Sequence, residues 1–300
     1  MQRLQSSYPQ HRSESDLTNV PLSELPDGEK AERASSFGEV AENYDSFRPA
    51  PAASAVGWVL EDRHVPVALD LGAGTGACTR LLLAHADQVR AVDPDERMRH
   101  VLSAEVPMAT VLAGQGELIP LPEASVDAVL ASSSWHWMQP EQTLAEVARV
   151  LRPGGTLGVL WSGPDPEGPF MLQARALLEA RSLDTESDSS GSSSGSSGGS
   201  LADVVLADAD RRSPTLTIPD DRNHPFDQPE FAEFTQDVAL TADQLIGLMG
   251  TLSLFILMSE ERRQRIFSEA RRLLREALGI EGQITVDVAF KTEAWRARRR

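Results

Sequence analysis

The sequence predicts an α/β fold, a parallel sheet covered by helices on both faces. Three observations lead there. A short apolar run from Val67 ends on Asp70 and then opens into glycines at alternate positions, Gly72, Gly74 and Gly76, as a buried strand does when it turns sharply into a helix. Strand and helix patterns then alternate with short connections as far as Trp161. A period-two stretch, Ile284–Phe290, closes the chain. In such sheets ligands bind at the carboxyl ends of the strands.

In chain order, residues 1–33 are rich in Ser, Glu, Pro and Gln without periodicity, and are expected to be a disordered tail. Phe37, Val40, Ala41 and Tyr44 recur at helical spacing behind Ser36, and Arg48-Pro49 ends that helix. A helix over Ala52–Glu61 precedes the first strand. The helix after the glycines carries Leu81, Leu82 and Leu83 towards the sheet. Val89–Asp93 is the second strand, and Pro94 with Asp95-Glu96 supplies a stop and an acidic helix start. Val111–Ala113, Val126–Ala131 and Thr156–Trp161 are the next strands. Between the last two, a helix over Pro140–Leu151 is closed by Arg152-Pro153-Gly154-Gly155.

A helix over Phe170–Ser182 leads to Ser189–Ser200, a Gly/Ser run that builds no core. Asp243–Met258 is apolar but shorter than the ~20 residues that span a bilayer, so a buried helix or pocket wall is expected. Glu260–Leu278 places Ile266, Ala270, Leu273, Leu274 and Ala277 on one helical face. The terminal Arg-Ala-Arg-Arg-Arg is expected to fray. The organisation is then a tail (1–33), a core (34–183), a Gly/Ser loop (184–200) and a C-terminal part (201–300) that completes the same domain.

Composition narrows the classes. The chain is 41% hydrophobic and 24% charged, ordinary for a soluble protein. Its 45 acidic against 28 basic residues give −17, a field that repels phosphate backbones and excludes nucleic acid as an expected partner. No apolar segment follows the N-terminus, so neither a signal peptide nor a first membrane span is visible and a cytoplasmic location is expected. The single cysteine, Cys78, reads as a packed small residue, and no metal-ligand cluster is apparent.

The loop Gly72-Ala73-Gly74-Thr75-Gly76 is a nucleotide seat, because glycine permits positive φ and close approach of a ligand to the backbone. By itself it satisfies both the alternating-glycine loop of methyltransferases and the G-x-G-x-x-G/A of dinucleotide binders. Asp93, closing the second strand, can accept from both hydroxyls of a ribose and suits either cofactor.

Taken together, FGEVAENYDSFRP, LDLGAGTG, AVDPDERM, GQGELIPLPEASVDAV, the pair His136-Trp137 and LRPGG resemble, in this order, the class I S-adenosylmethionine-dependent methyltransferases. The likeness is strongest to the small-molecule branch that includes ubiquinone-biosynthesis and trans-aconitate methyltransferases. It covers Phe37 to Trp161. It implies a Rossmann-like, doubly wound sheet of seven strands with the last antiparallel, and S-adenosylmethionine as cofactor.

The resemblance also implies residue roles. Asp93, beside Pro94, would hold the ribose, and Met98 would pack on the adenine, although a plain core methionine fits equally. Gln115 would accept from the adenine amino group in place of the family's short acid, and Gly116 stands where the family has Ala. Asp70, the backbone from Gly72 through Ala73 and Gly74 to Gly76, and the turn at Ser132-Ser133 would surround the methionine end. Asp70 could also cap the loop. Tyr44 and Arg48 would lie over that same end, Arg48 near the cofactor carboxylate or else exposed at its helix end.

Trp135, His136 and Trp137 follow the fourth strand, where an acceptor must meet the methyl group. The indoles would exclude water or face the sulfonium, and His136 is either a base or a packing residue. The expected activity is methyl transfer to an oxygen, nitrogen or carbon of a small molecule by in-line displacement. Two alternatives remain open: a methyltransferase-like cofactor binder without turnover, and a nicotinamide-dependent oxidoreductase.

Overall fold

The computed structural model describes residues 49–188, 215–250, 255 and 259–300. The expected N-terminal tail, the helix around Phe37 with Tyr44 and Arg48, the Gly/Ser run, and most of 251–258 lie outside the described residues.

The described elements are α1 (Ala53–Val59), β1 (Val65–Leu71), α2 (Ala77–Leu82), β2 (Ala86–Asp93), α3 (Glu96–Glu105), β3 (Thr110–Ala113), β4 (Val126–Ser132), a 3-10 turn (Trp135–Trp137), α4 (Pro140–Val150), β5 (Leu151–Pro164), α5 (Pro169–Asp188), β6 (Glu230–Thr241), α6 (Ala242–Gly250), α7 (Glu260–Leu278) and β7 (Thr285–Arg298). One seven-stranded sheet has the order β3-β2-β1-β4-β5-β7-β6. Strands β1 to β5 pair in parallel, and β7 runs antiparallel to both β5 and β6. The doubly wound sheet with its last strand reversed is therefore present.

Strand alternation divides the core into two layers. Val67, Leu69, Leu71, Val129, Leu157 and Val159 face one way and pack with Leu144 and Val147 of α4. Ala68, Leu130 and Leu160 face the other, against Ala55, Val56 and Val59 of α1 and Leu82 of α2. Of Leu81, Leu82 and Leu83 only Leu82 is fully buried; Leu83, just past α2, is exposed, because consecutive helical residues cannot share one face.

Three local expectations are corrected. Arg152-Pro153-Gly154-Gly155 does not close the helix; α4 ends at Val150 and these residues form a bulge at the start of β5, where the pairing with β4 jumps from Val126↔Leu151 to Ala128↔Thr156. Helix α5 continues to Asp188, past the expected end at Ser182. Finally, the last strand runs on to Arg298, so the basic C-terminus is not a frayed end.

That terminus is held residue by residue. The Arg296 guanidinium lies 4.3 Å from the Trp58 ring centroid, donates to the Trp58 carbonyl at 2.7 Å and pairs with Glu230. Arg298 pairs with Glu61, Arg299 donates to the Leu151 carbonyl, and Arg300 pairs with Asp227.

The strand β6 carries no counterpart in the sequence reading. It pairs with β7 along its whole length, from Glu230↔Arg296 to Thr241↔Thr285. On its other side β7 meets β5 only as far as Phe290↔Pro164. The β6–β7 ribbon thus overshoots the carboxyl end of β5, and a separate apolar cluster of Leu240, Ile246, Phe255, Ile266, Leu273 and Phe290 sits there. Helices α6 and α7 contribute to this cluster beyond the carboxyl end of β5.

Candidate functional site

The site is built where β1 and β4 stand side by side and their connections leave in opposite directions, the switch point of a doubly wound sheet. The loop after β1 turns with Gly72, Gly74 and Gly76 all at positive φ, +70°, +55° and +96°. The three are not equivalent. A Cβ on Gly72 would fall 2.5 Å from Ser134 Cβ, and one on Gly76 3.1 Å from Val106 Cγ2. These two glycines let protein pack against the loop. Of the three, Gly74 alone has nothing described within 4 Å of its Cβ position, so among the described residues its face is the open one.

Asp93, at the end of β2, is buried and holds the loop. Its Oδ2 accepts the Gly74 N–H at 2.8 Å and its Oδ1 accepts the Asp95 N–H at 2.9 Å. Burial pushes its pKa up, and those two N–H groups pull it back. Arg99 donates to the carbonyls of Asp93 and Pro94 at 2.9 and 2.7 Å, fixing the turn that leads into α3. Each bonded oxygen keeps capacity for a further donor. Met98, on the first turn of α3, is buried.

Asp70 lies deeper. It is fully buried, its Oδ2 accepts from the Thr79 hydroxyl at 2.6 Å, and its Oδ1 has no partner among the described residues. Burial raises its pKa to about 7, with the charge of Asp93 adding to the effect. The bond to Thr79 on α2 ties β1 to the helix beneath the loop. The unpartnered oxygen is the kind of buried acceptor a cationic ligand group could satisfy. Nearby Cys78 is buried, and burial pushes its thiol up, so it is a packed neutral residue.

After β4 the chain turns differently from expectation. Ser132 is still in the strand, Ser133 takes the left-handed φ of +52°, and Ser134 is buried with its hydroxyl donating to the Leu71 carbonyl at 2.7 Å. The turn is therefore made by Ser133-Ser134, and Ser134 joins it to the end of β1. Trp135 is buried, while His136 and Trp137 are half-buried. The His136 ring is 4.7 Å from that of Trp137 and meets Trp161 edge-on at 4.7 Å. Trp161 on β5 is thus a further member of the aromatic wall; its place in the sheet, and no local motif, brings it there.

The loop between β3 and β4 forms the remaining side. Gln115 is exposed, with its backbone bridged to Leu118. A Cβ on Gly116 would fall 2.7 Å from Met138 Sδ and 2.9 Å from Thr143 Oγ1. The thioether occupies the space that an alanine methyl would need, which accounts for Gly at this position. Among the predicted residues, the structure thus gathers Asp70, Gly72, Ala73, Gly74, Gly76, Asp93, Pro94, Met98, Gln115, Gly116, Ser132 and Trp135–Trp137 along the carboxyl edge of β1 to β4. Tyr44 and Arg48 lie outside the described residues.

Comparison with known proteins matches this geometry. A methyltransferase-domain family model fits residues 69–159, the span from β1 to β5. An uncharacterised methyltransferase of Mycobacterium tuberculosis is 33% identical over 239 residues, 80% of this chain and 85% of its own length. The chain belongs to the class I S-adenosylmethionine-dependent methyltransferases. A malonyl-[acyl-carrier protein] O-methyltransferase of Methylococcus capsulatus is 33% identical over 147 residues, 46% of this chain and 53% of the relative. The solved structure of a protein described as a type II methyltransferase, from Anaeromyxobacter dehalogenans, shares the fold with a TM-score of 0.51. It is 24% identical and covers 84% of this chain and 98% of its own. Membership in this methyltransferase family sets the nicotinamide alternative aside.

Proposed function

We propose that this methyltransferase transfers the methyl group of S-adenosylmethionine to a small-molecule acceptor, with the cofactor lying across the Gly72–Gly76 loop. The observation that carries this reading is the pairing of the open face at Gly74 with the buried carboxylate of Asp93, bonded to the Gly74 N–H itself. A ribose over Gly74 meets the remaining acceptor capacity of Asp93. Met98 and the loop at Gln115-Gly116 receive the adenine, and Gln115 accepts through its amide oxygen. Asp70, whose Oδ1 has no partner among the described residues, answers the cationic methionine end, supported by the loop backbone at Gly72 and Ala73 and by Ser132.

When bound, the cofactor supplies an electrophilic sulfonium methyl. This chain supplies position and dryness: Trp135, Trp137 and Trp161 wall the approach beyond β4 and exclude water from the line of attack. His136, held between two of these rings, takes a proton from an acceptor hydroxyl or amine where one must be lost. The α6–α7 layer at the end of the β6–β7 ribbon closes the acceptor side.

The test uses the full chain. Calorimetry should show heat with S-adenosylmethionine and with S-adenosylhomocysteine and none with NAD. Labelled cofactor incubated with a metabolite extract should then mark a low-molecular-weight product. Binding of NAD alone, or label found only on macromolecules, would overturn the proposal.

A further inference from the structure

The loop proposed to receive the adenine and the turn that carries the aromatic wall are fastened to one another. Glu117, next to Gly116, is half-buried, and its Oε1 accepts the backbone N–H of Gln139. Gln139 is the N-cap of α4, and its side chain makes no capping bond there. A carboxylate at that point is favoured by the positive end of the helix and by the charge-assisted bond.

Met138, between the wall and Gln139, spans the same gap. Its Cε is 3.2 Å from the Cβ position of Gly72 and its Sδ 2.7 Å from that of Gly116. At the other end of the turn, Ser134 donates to the Leu71 carbonyl. The Trp135–Trp137 turn is therefore anchored twice, once to the cofactor loop and once to the adenine loop. Further along α4, Glu146 accepts the Ile119 N–H at 2.9 Å, and Arg149 donates to the carbonyls of Ile119 and Leu121 at 2.9 and 2.8 Å. The whole 117–121 stretch is bound to the helix that starts at the wall.

We infer that Glu117 is a positioning residue that holds the Trp135–Trp137 turn in register with the cofactor seat, so that occupancy at Gly116 is transmitted to the acceptor wall. The inference rests on the proposed cofactor placement. The Glu117 carboxylate is engaged by the Gln139 N–H and not by the cofactor. Its effect is exerted through where His136 and the two indoles stand, and displacement of such a wall by an ångström costs about 100-fold in rate.

The test labels the full chain with 5-fluorotryptophan and follows its resonances by 19F NMR while S-adenosylhomocysteine is titrated; Trp→Phe substitutions assign them. In the unmodified chain the Trp135 and Trp137 resonances should move with saturation. In Glu117→Ala, calorimetry should show S-adenosylhomocysteine affinity within about threefold of the unmodified chain, while those two resonances broaden and lose most of their response. Glu117→Gln, which still accepts through its amide oxygen, should restore it.

An unaltered response in Glu117→Ala overturns the inference. So does a loss of affinity beyond about tenfold that Glu117→Gln does not restore, since that marks a ligand instead of a positioning residue. Should Glu117→Ala fail to fold, Ser134→Ala releases the other anchor and must weaken the same response, or the inference falls. Absence of any heat with the unmodified chain would instead overturn the proposed cofactor placement, and is read before any variant is compared.

Discussion

Asp93 Oδ2 accepts the backbone N–H of Gly74 at 2.8 Å, joining the end of β2 to the most open point of the glycine loop. One carboxylate thus shapes the loop and, in the proposed function, holds the ribose. Replacing it removes both roles. Asp93→Ala should weaken S-adenosylhomocysteine binding by about 1–3 kcal/mol, the scale of lost hydrogen bonds to a charged group. Asp93→Asn, which keeps one acceptor, should fall between. Calorimetry on folded variants decides it, and unchanged affinity in Asp93→Ala would show the ribose to lie elsewhere.

Asp70 gives a prediction in pH. Its folded pKa, about 7, lies above the value near 3.9 of an unfolded aspartate. Between these values the unfolded chain has lost the proton and the native state keeps it, so the native state is progressively penalised as pH rises. The penalty is absent below about pH 4 and levels off above about pH 7, at about 4 kcal/mol or less. Asp70→Asn carries no such proton, so its melting temperature should gain on that of the unmodified chain as pH is raised from 4.5 to 8. Parallel curves for the two proteins would show that Asp70 ionises normally in the fold.

How far the sequence reveals these features depends on where each signal resides. The strand VALDL, the glycines and Asp93 are adjacent in the chain or tied to one strand end, and periodicity with turn chemistry exposes them directly. Glu117, Ser134 and Met138 escape such reading because their partners, Gln139, Leu71 and Gly72, are brought near only by the sheet. Strand β6 alternates exposed and half-buried residues at the edge of the sheet, so its hydrophobic contrast is too weak to stand out. The bulge at Arg152–Gly155 reads as a helix stop from its Pro-Gly composition; pairing with β4 and the C-terminus overrides that local preference.

The C-terminal arginines make the clearest case of tertiary structure overruling composition. Five closely spaced residues, four of them Arg, look solvated, yet Arg296 covers the Trp58 ring, donates to its carbonyl and pairs with Glu230. Arg296→Ala should cost about 1–2 kcal/mol in urea denaturation, combining a cation–π contact with a partly shielded ion pair. Arg296→Lys should recover little, because an ammonium cannot stack on the indole and donate in a fork at once. A full recovery by Lys would mean that charge alone matters at this position.

His136 separates chemistry from confinement. Its ring is packed between Trp137 and Trp161, so it is placed either to remove an acceptor proton or to complete the wall. As a base it contributes about 100- to 10,000-fold, and its loss should leave S-adenosylhomocysteine affinity intact. His136→Ala should therefore abolish labelled methyl transfer to the product found in metabolite extract while calorimetric binding persists. His136→Phe refines the reading: it restores the aromatic packing without a titratable nitrogen. If His136→Phe transfers methyl at the original rate, the residue is a wall, and positioning by the indoles supplies the rate. If both variants are inactive and both bind cofactor, the imidazole carries the proton.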